Sequence, residues 1–451
     1  MKSPAFNPES VREVLRTGTP DRVLRLIGKA HPADIALLFK DLEPHEIRLL
    51  FDILFSVRRA DKALKELPPD LLPDILSSID DEKIARVIGR ADPDDAVAFT
   101  ESLPEERREA VLALVDPERR RSVQKLTSYP EGTVGRIMTT DYLALSPQTT
   151  AQGAIDKIRE RGELETFFYL YVVDDTARLI GVVPIRNLVI APPQRTLAEI
   201  MITEPLRAEA TMDQEEAARL VSKYELLALP IVDHDGRLLG MITMDDVLDI
   251  IDQESTEDMY KMAGLAGSDR VFTPALRSVK LRLPWTLINL LTASLAASVI
   301  AFFEGTIERM VVLVTFMPII AGVGGNAGLQ TMTVMVRGIA LGEMEFSSAW
   351  RAIVKEVCVN LCLAVTAGGL VALLVTLLWH GNPVLGLVVA LAMIVNIGLV
   401  AGLAGTVIPL TLKWLNFDPA IGSGIIITAL NDAFGFLSFL GLATLLLNYL
   451  I

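Results

Sequence analysis

The chain has 451 residues, 22% of them charged, and a mean hydropathy of +0.41, more apolar than a single water-soluble domain. Of 42 Lys and Arg and 56 Asp and Glu, only six and seven lie between Leu281 and Ile451, so the first 280 residues hold 36 basic and 49 acidic groups and −13 of the net −14. An acidic balance without a basic stripe excludes a nucleic-acid binder, two cysteines exclude a disulfide scaffold, and His31, His45, His234 and His380 are too scattered for a zinc site. An acidic soluble half and a membrane half are expected. The start MKSPAFNPES has no apolar signal-peptide core, so the soluble half is expected to stay in the cytoplasm.

Residues 1–130 read as one short helix after another. HPADIALLF at 31, PHEIRLLFDIL at 44, PPDLLPDIL at 68, DPDDAVAF at 92 and PEERREAVLAL at 104 each set Pro and an acid just ahead of apolar residues at 3- and 4-residue spacing. Pro suits the first helical position and acids suit the first turn. Units of this length cannot bury an apolar face alone, which predicts an all-α superhelical stack.

Residues 131–192 and 193–244 read as a duplication. FFYLYVVDDTARLIGVVPI and LLALPIVDHDGRLLGMITM align at a constant offset of 59, with Val173-Asp174 over Val232-Asp233, and Ile137-Met138 lies over Ile200-Met201. Each copy is expected to hold a short strand, a helix, a hairpin and a closing helix, with Gly181 and Gly240 at the tight turn before the second hairpin strand. The motifs resemble a tandem pair of CBS domains. That resemblance implies an α/β regulatory pair and an adenosyl nucleotide such as ATP between the copies. The second copy keeps the ribose and phosphate pair at Thr243 and Asp246, whereas the first has Pro184 and Asn187.

Residues 245–280 form an acidic connecting helix and linker. Asp245, Asp249 and Asp252 share one helical face, and Asp246 with Asp249 is an i, i+3 pair. Such a run alone reads as a solvated face whose like charges repel weakly. Between a regulatory pair and a membrane segment it also reads as a surface that divalent cations can bridge.

Residues 281–451 offer five apolar stretches of spanning length, at about 284–303, 311–335, 357–379, 385–411 and 420–448. Arg277, Lys280, Arg282, Arg337, Arg351, Lys355 and Lys413 flank one side, against Arg309 and His380 on the other. This bias puts the N-terminus inside and the C-terminus outside. Asp432 is the one carboxylate deep in these stretches, with Thr428 and Asn431 beside it. It reads either as a protonated or hydrogen-bonded structural group or as a cation ligand; with no Lys, Arg or His in the stretches, a cation is the expected partner. MPIIAGVGGNAGLQTMTVMV in the second stretch reads either as close helix packing or as broken backbone lining water.

The full order of segments, with PxxxGxGGNAG in span 2 and NDxxG in span 5, resembles the MgtE-type magnesium channels and transporters. The fold class is therefore multidomain: an all-α superhelical N domain, an α/β tandem CBS pair and an α-helical transmembrane domain. The resemblance implies a homodimer in the bilayer of the inner cell membrane, importing Mg²⁺ and gated by intracellular Mg²⁺. It implies a pore lined by spans 2 and 5, with Gly324, Gly325, Asn326, Thr428 and Asn431 along it and Asp432 holding the hydrated ion. Cytoplasmic metal sites would fall on Asp61 and Asp94, on Asp213, Glu215 and Glu225, on Asp246, Asp249, Glu254, Glu257 and Asp258 of the linker acting as a plug helix, and on Asp418. Ala98, Leu329 and Phe434 depart from the family pattern.

Other classes fit less well. A carrier of Co²⁺, Mn²⁺ or Ni²⁺ is the alternative, since all are octahedral ions that a carboxylate-and-water site accepts. An anion transporter needs basic residues at depth, and a membrane-tethered nucleotide sensor needs the polar pair in both CBS copies. No enzyme is expected, because no nucleophile, base and oxyanion set occurs.

Overall fold

The computed structural model describes residues 8–17, 20–40, 42–69, 71–161, 168–265, 269, 273–344, 349–378 and 382–450. They fall into two compact units, Met1–Ile251 and Asp252–Ile451. His380 of the charge tally lies outside the described residues.

Among the described residues of the first unit, ten short helices run from Pro8–Thr17 to Pro117–Thr127. Their starts follow the sequence signals. Pro44 opens Pro44–Ser56 behind a capping box made by Glu43 and Glu46, and Asp116 caps Pro117–Thr127 by accepting from Glu118 N at 2.9 Å. Arginines close the helix ends: Arg59 donates to the carbonyls of Ile27 at 2.9 Å and Ala30 at 2.5 Å, and Arg107 to that of Ile79 at 2.8 Å. The buried Ile35, Leu50, Phe51, Leu64, Ile88 and Phe99 share one core with Val221, Leu229, Ile231 and Ile242 of the second CBS copy. The first copy packs around a separate core with Leu170, Val172 and Val183.

The two copies exchange their lead-in segments. β1 (Ala144–Leu145), β2 (Tyr169–Val173), β3 (Leu179–Pro184) and β4 (Ile202–Thr203) form one sheet; β5 (Ala208–Glu209), β6 (Ala228–Val232) and β7 (Leu238–Thr243) form the other. β4, at the head of the second copy, pairs with β3 of the first, and Thr139, at the head of the first, bridges Met241 in β7. Gly181 and Gly240 therefore do a different job from the turn expected of them, since they sit inside β3 and β7. A methyl group on Gly181 would come 2.5 Å from Met201 Sδ, and one on Gly240 2.9 Å from Met138 Sδ, so each glycine admits the methionine that precedes the exchanged strand. The hairpin turns are instead made by Ala177 and Gly236, at φ 64° and 80°.

The helix Met244–Met262 follows β7, its first part in the first unit and its remainder in the second. Five helical segments among the described residues are long and apolar enough to cross a membrane. They are span 1 (Ala275–Phe302), span 2 (Leu313–Ala340), span 3 (Ala349–Leu378), span 4 (Pro383–Trp414) and span 5 (Ser423–Leu445). Span 3 begins earlier than its apolar run, so it contains Arg351, Lys355 and Glu356. Glu356 is a buried carboxylate in these helices, and it is paired with Lys355. Span 4 holds a π-helix, Ile394–Ala401, between Pro383–Met393 and Gly402–Trp414.

Candidate functional site

Three groups of the expected residues are brought to definite places. The first lies where the helical domain shares its core with the second CBS copy. Thr243 Oγ1 donates to Asp246 Oδ2 at 2.5 Å, tying the pair expected to meet a nucleotide to each other. The other oxygen, Asp246 Oδ1, is 4.0 Å from Lys65 Nζ, and Asp95 Oδ2 is 3.5 Å from the same ammonium. Asp94 Oδ1 is buried without a hydrogen bond. Burial alone would lower the Lys65 ammonium, but Asp95, Asp246, Asp94 and Asp245 together hold it above its ordinary value. Burial pushes the Asp95 carboxyl up to about 7, against the pull of Lys65, and raises Asp94 well above the carboxylate range with help from Asp95 and Asp246.

These shifts carry a sign. Asp95 ionises at about 7 in the fold and near its ordinary 3.8 when unfolded, so it favours the fold below about pH 4 and that contribution is lost as pH rises to about 7. Without divalent metal, calorimetry of the detergent-solubilised chain should therefore show the first unit more stable at pH 5 than at pH 7.5, by about 2 kcal/mol. A first unit that is less stable at pH 5 would contradict this placement.

Other expected ligands of the first unit stand at the starts or ends of helices. Asp213 caps the helix Gln214–Tyr224, accepting from Glu215 N at 2.9 Å and Glu216 N at 3.4 Å. Glu225 ends that helix in the left-handed region at φ 51°. Asp61 stands in the first turn of Ala60–Lys65. Among the described residues no three His, Cys, Asp or Glu side chains come together as a metal cage.

The second group joins the end of Met244–Met262 to the loop before span 5. Lys261 Nζ lies 2.5 Å from Glu257 Oε1 and 2.6 Å from Asp418 Oδ2. Asp258 is pushed up to about 6 by burial and by the charges of Asp418, Glu254 and Glu257, against the pull of Lys261. The backbone approaches closely here: a methyl on Gly424 would come 2.5 Å from the Met262 carbonyl oxygen. Asp269, 3% exposed, accepts from Ser278 at 2.7 Å and Arg282 at 2.6 Å at the base of span 1.

The third group is in the spans. Thr428 and Asp432 are one turn apart on span 5, with Thr428 exposed and Asp432 half-buried. On span 2, Asn326 is exposed and Gly325 half-buried. Asn431 and Gly324 turn inward instead. Asn431 is fully buried, donates to the Ile427 carbonyl at 3.0 Å and leaves Oδ1 unpaired. Gly324 and Gly328 have no room for a side chain: the Asn396 amide fills the space at Gly324, and Ile427 Cγ2 with the Asn431 amide fills it at Gly328.

Sequence reading missed Lys65, Lys261, Asp269 and Asn396. Glu257 and Lys261 at i, i+4 carried a local signal. Lys65 and Asn396 gain their meaning only from residues distant in sequence.

An acidic unit with a CBS pair, followed among the described residues by five apolar helices of spanning length with one carboxylate deep in the last, is the architecture of a membrane transport protein. Family models described as MgtE intracellular N domain, CBS domain, and MgtE divalent cation transporter match residues 30–132, residues 134–193 and 197–253, and residues 317–442. The chain is 32% identical over 440 residues to the magnesium transporter MgtE of Bacillus subtilis, covering 97% of this chain and 96% of that one. It is 31% identical to the magnesium transporter MgtE of Thermus thermophilus, covering 97% and 98%. A crystal structure of the cytosolic domain of the Mg²⁺ channel MgtE in complex with ATP, at 30% identity, superposes with a TM-score of 0.52 over 54% of this chain and 100% of that one. The chain belongs to the MgtE family.

Proposed function

We propose that the chain is a Mg²⁺ transporter whose path is lined by spans 2 and 5 and whose conduction is controlled by Mg²⁺ on the cytoplasmic side. The observation that carries this reading is Asp432, a half-buried carboxylate deep in span 5 with no ion-pair partner among the described residues. A charge placed there needs a cation, and Mg²⁺ keeps several of its waters and takes few carboxylates. Two copies on a two-fold axis would bring two such carboxylates to one ion. The positive-inside bias of the flanking Lys and Arg supports a cytoplasmic soluble unit.

Control follows from charge. The soluble unit and linker are strongly acidic, and Lys65 and Lys261 neutralise part of two clusters, which leaves negative charge for divalent cations to bridge. ATP on this pair would compete with the hydrogen bond between Thr243 and Asp246; the solved cytosolic domain of a relative in complex with ATP supports a nucleotide on the soluble unit. Growth of a strain lacking its own Mg²⁺ uptake systems tests the reading: expression should restore growth at low Mg²⁺, and Co²⁺ or Ni²⁺ should compete only weakly. Failure to restore growth with the protein in the membrane would count against it.

A further inference from the structure

We propose that Asn396 is a positioning residue for the cation path, keying span 2 to span 5 behind the face that carries Asp432. This rests on the reading of the chain as a Mg²⁺ transporter. Asn396 lies in the π-helix of span 4 and is fully buried. A π-helical turn holds extra residues at the cost of helical regularity and recurs at functional sites. Here it carries an amide that reaches both neighbouring spans. Nδ2 donates to the Ile320 carbonyl of span 2 at 3.0 Å. A methyl on Gly324 would collide with that same Nδ2 and lie 2.9 Å from Cγ, and a methyl on Gly435 of span 5 would come within 2.8 Å of Nδ2 and 3.1 Å of Cγ. The amide thus fills two notches, one in each span.

Both notches are next to the path. Gly324 directly precedes Gly325 and Asn326, and Gly435 is one turn beyond Asp432. Fixing these two glycines on one amide fixes the level of Asp432 relative to Asn326. Stability alone gives a poor account of an asparagine here. Its Oδ1 is buried with no hydrogen-bond partner, a cost that an apolar side chain of similar size would avoid. The unpaired Oδ1 of Asn431 approaches the same notch, 3.3 Å from where a Gly324 methyl would sit.

The test uses the purified full-length chain in lipid vesicles, with Mg²⁺ influx read by a trapped indicator. Hexaamminecobalt(III), an inert complex similar in size to hydrated Mg²⁺, serves as blocker. Asn396→Leu should lower maximal flux at least tenfold and shift the half-blocking concentration at least fivefold, because the geometry at Asp432 changes. A defect of folding alone would lower flux and leave the half-blocking concentration where it was, and that result would overturn the proposal. If Asn396→Leu does not insert, Asn396→Ala is measured in its place. A second arm needs no cation: Gly324→Ala should lower the unfolding temperature in the wild-type background and much less in Asn396→Ala, where the notch is vacant. Equal losses in both backgrounds would overturn the keying. Absence of flux in wild-type vesicles would fail the transport reading, and the unfolding arm distinguishes that failure from a failure of the keying.

Discussion

Asp432→Ala is expected to abolish Mg²⁺ uptake, more than a hundredfold below wild type, with the protein still folded and inserted. A divalent ion about 5 Å from one carboxylate at an effective dielectric of ~20 is held by roughly 7 kcal/mol. A hundredfold loss corresponds to only about 2.8 kcal/mol, so removing the charge suffices without any change of shape. Asp432→Asn keeps the size and an oxygen but loses the charge, and should retain at most a few per cent of uptake. Asp432 is half-buried, one turn from the exposed Thr428. Uptake of Mg²⁺ by cells expressing equal amounts of each variant checks this, with gel filtration in detergent to confirm folding. Normal uptake in Asp432→Ala would make the aspartate structural.

Mg²⁺ on the side of the soluble unit is expected to protect the linker helix Met244–Met262 from protease. That helix carries Asp245, Asp246, Asp249, Asp252, Glu254, Glu257 and Asp258 against Lys261 alone. Lys261 already ties its end to Asp418, and Lys65 sits beside Asp246, so part of the repulsion is met by built-in cations. The remainder calls for ions from solution. Shifting a two-state equilibrium from 1:99 to 99:1 takes about 5.5 kcal/mol of differential binding, which several weakly held divalent ions supply together. Cleavage within the linker should fall as Mg²⁺ rises through the millimolar range and should not fall with NaCl at equal ionic strength. The same protection by NaCl would show screening rather than bridging. Lys261→Ala should raise the Mg²⁺ needed for half-protection, because one fixed cation is lost.

Much of this organisation is legible in the sequence because it is written in local patterns. Pro and acid at helix starts, the offset of 59 between the CBS copies, and apolar runs of spanning length each report on neighbours along the chain. What the sequence hides depends on contacts between distant residues. The glycines of the hairpins look like turn residues, yet Gly181 and Gly240 make space for Met201 and Met138 across the exchange. Lys65 is one lysine in an ordinary amphipathic helix until the shared core brings Asp95 and Asp246 to it. Asn396 is a single polar residue in an apolar run, with nothing nearby to show that two glycine notches lie 72 residues before and 39 after it. Asn431 reads as a path residue from its place beside Asp432, but helical geometry turns adjacent residues about 100° apart, and it faces the packing.

Conduction of Mg²⁺ by this chain and its closure at high internal Mg²⁺ are both read from influx into vesicles made from the purified protein with set concentrations of Mg²⁺ inside. Vesicles with the soluble unit facing inward and no internal Mg²⁺ should fill rapidly, and about 10 mM inside, well above the roughly 0.1–1 mM of weak extracellular-type sites, should suppress the initial rate several-fold. No influx in either case would contradict transport, and equal initial rates at both internal concentrations would contradict control by the soluble unit.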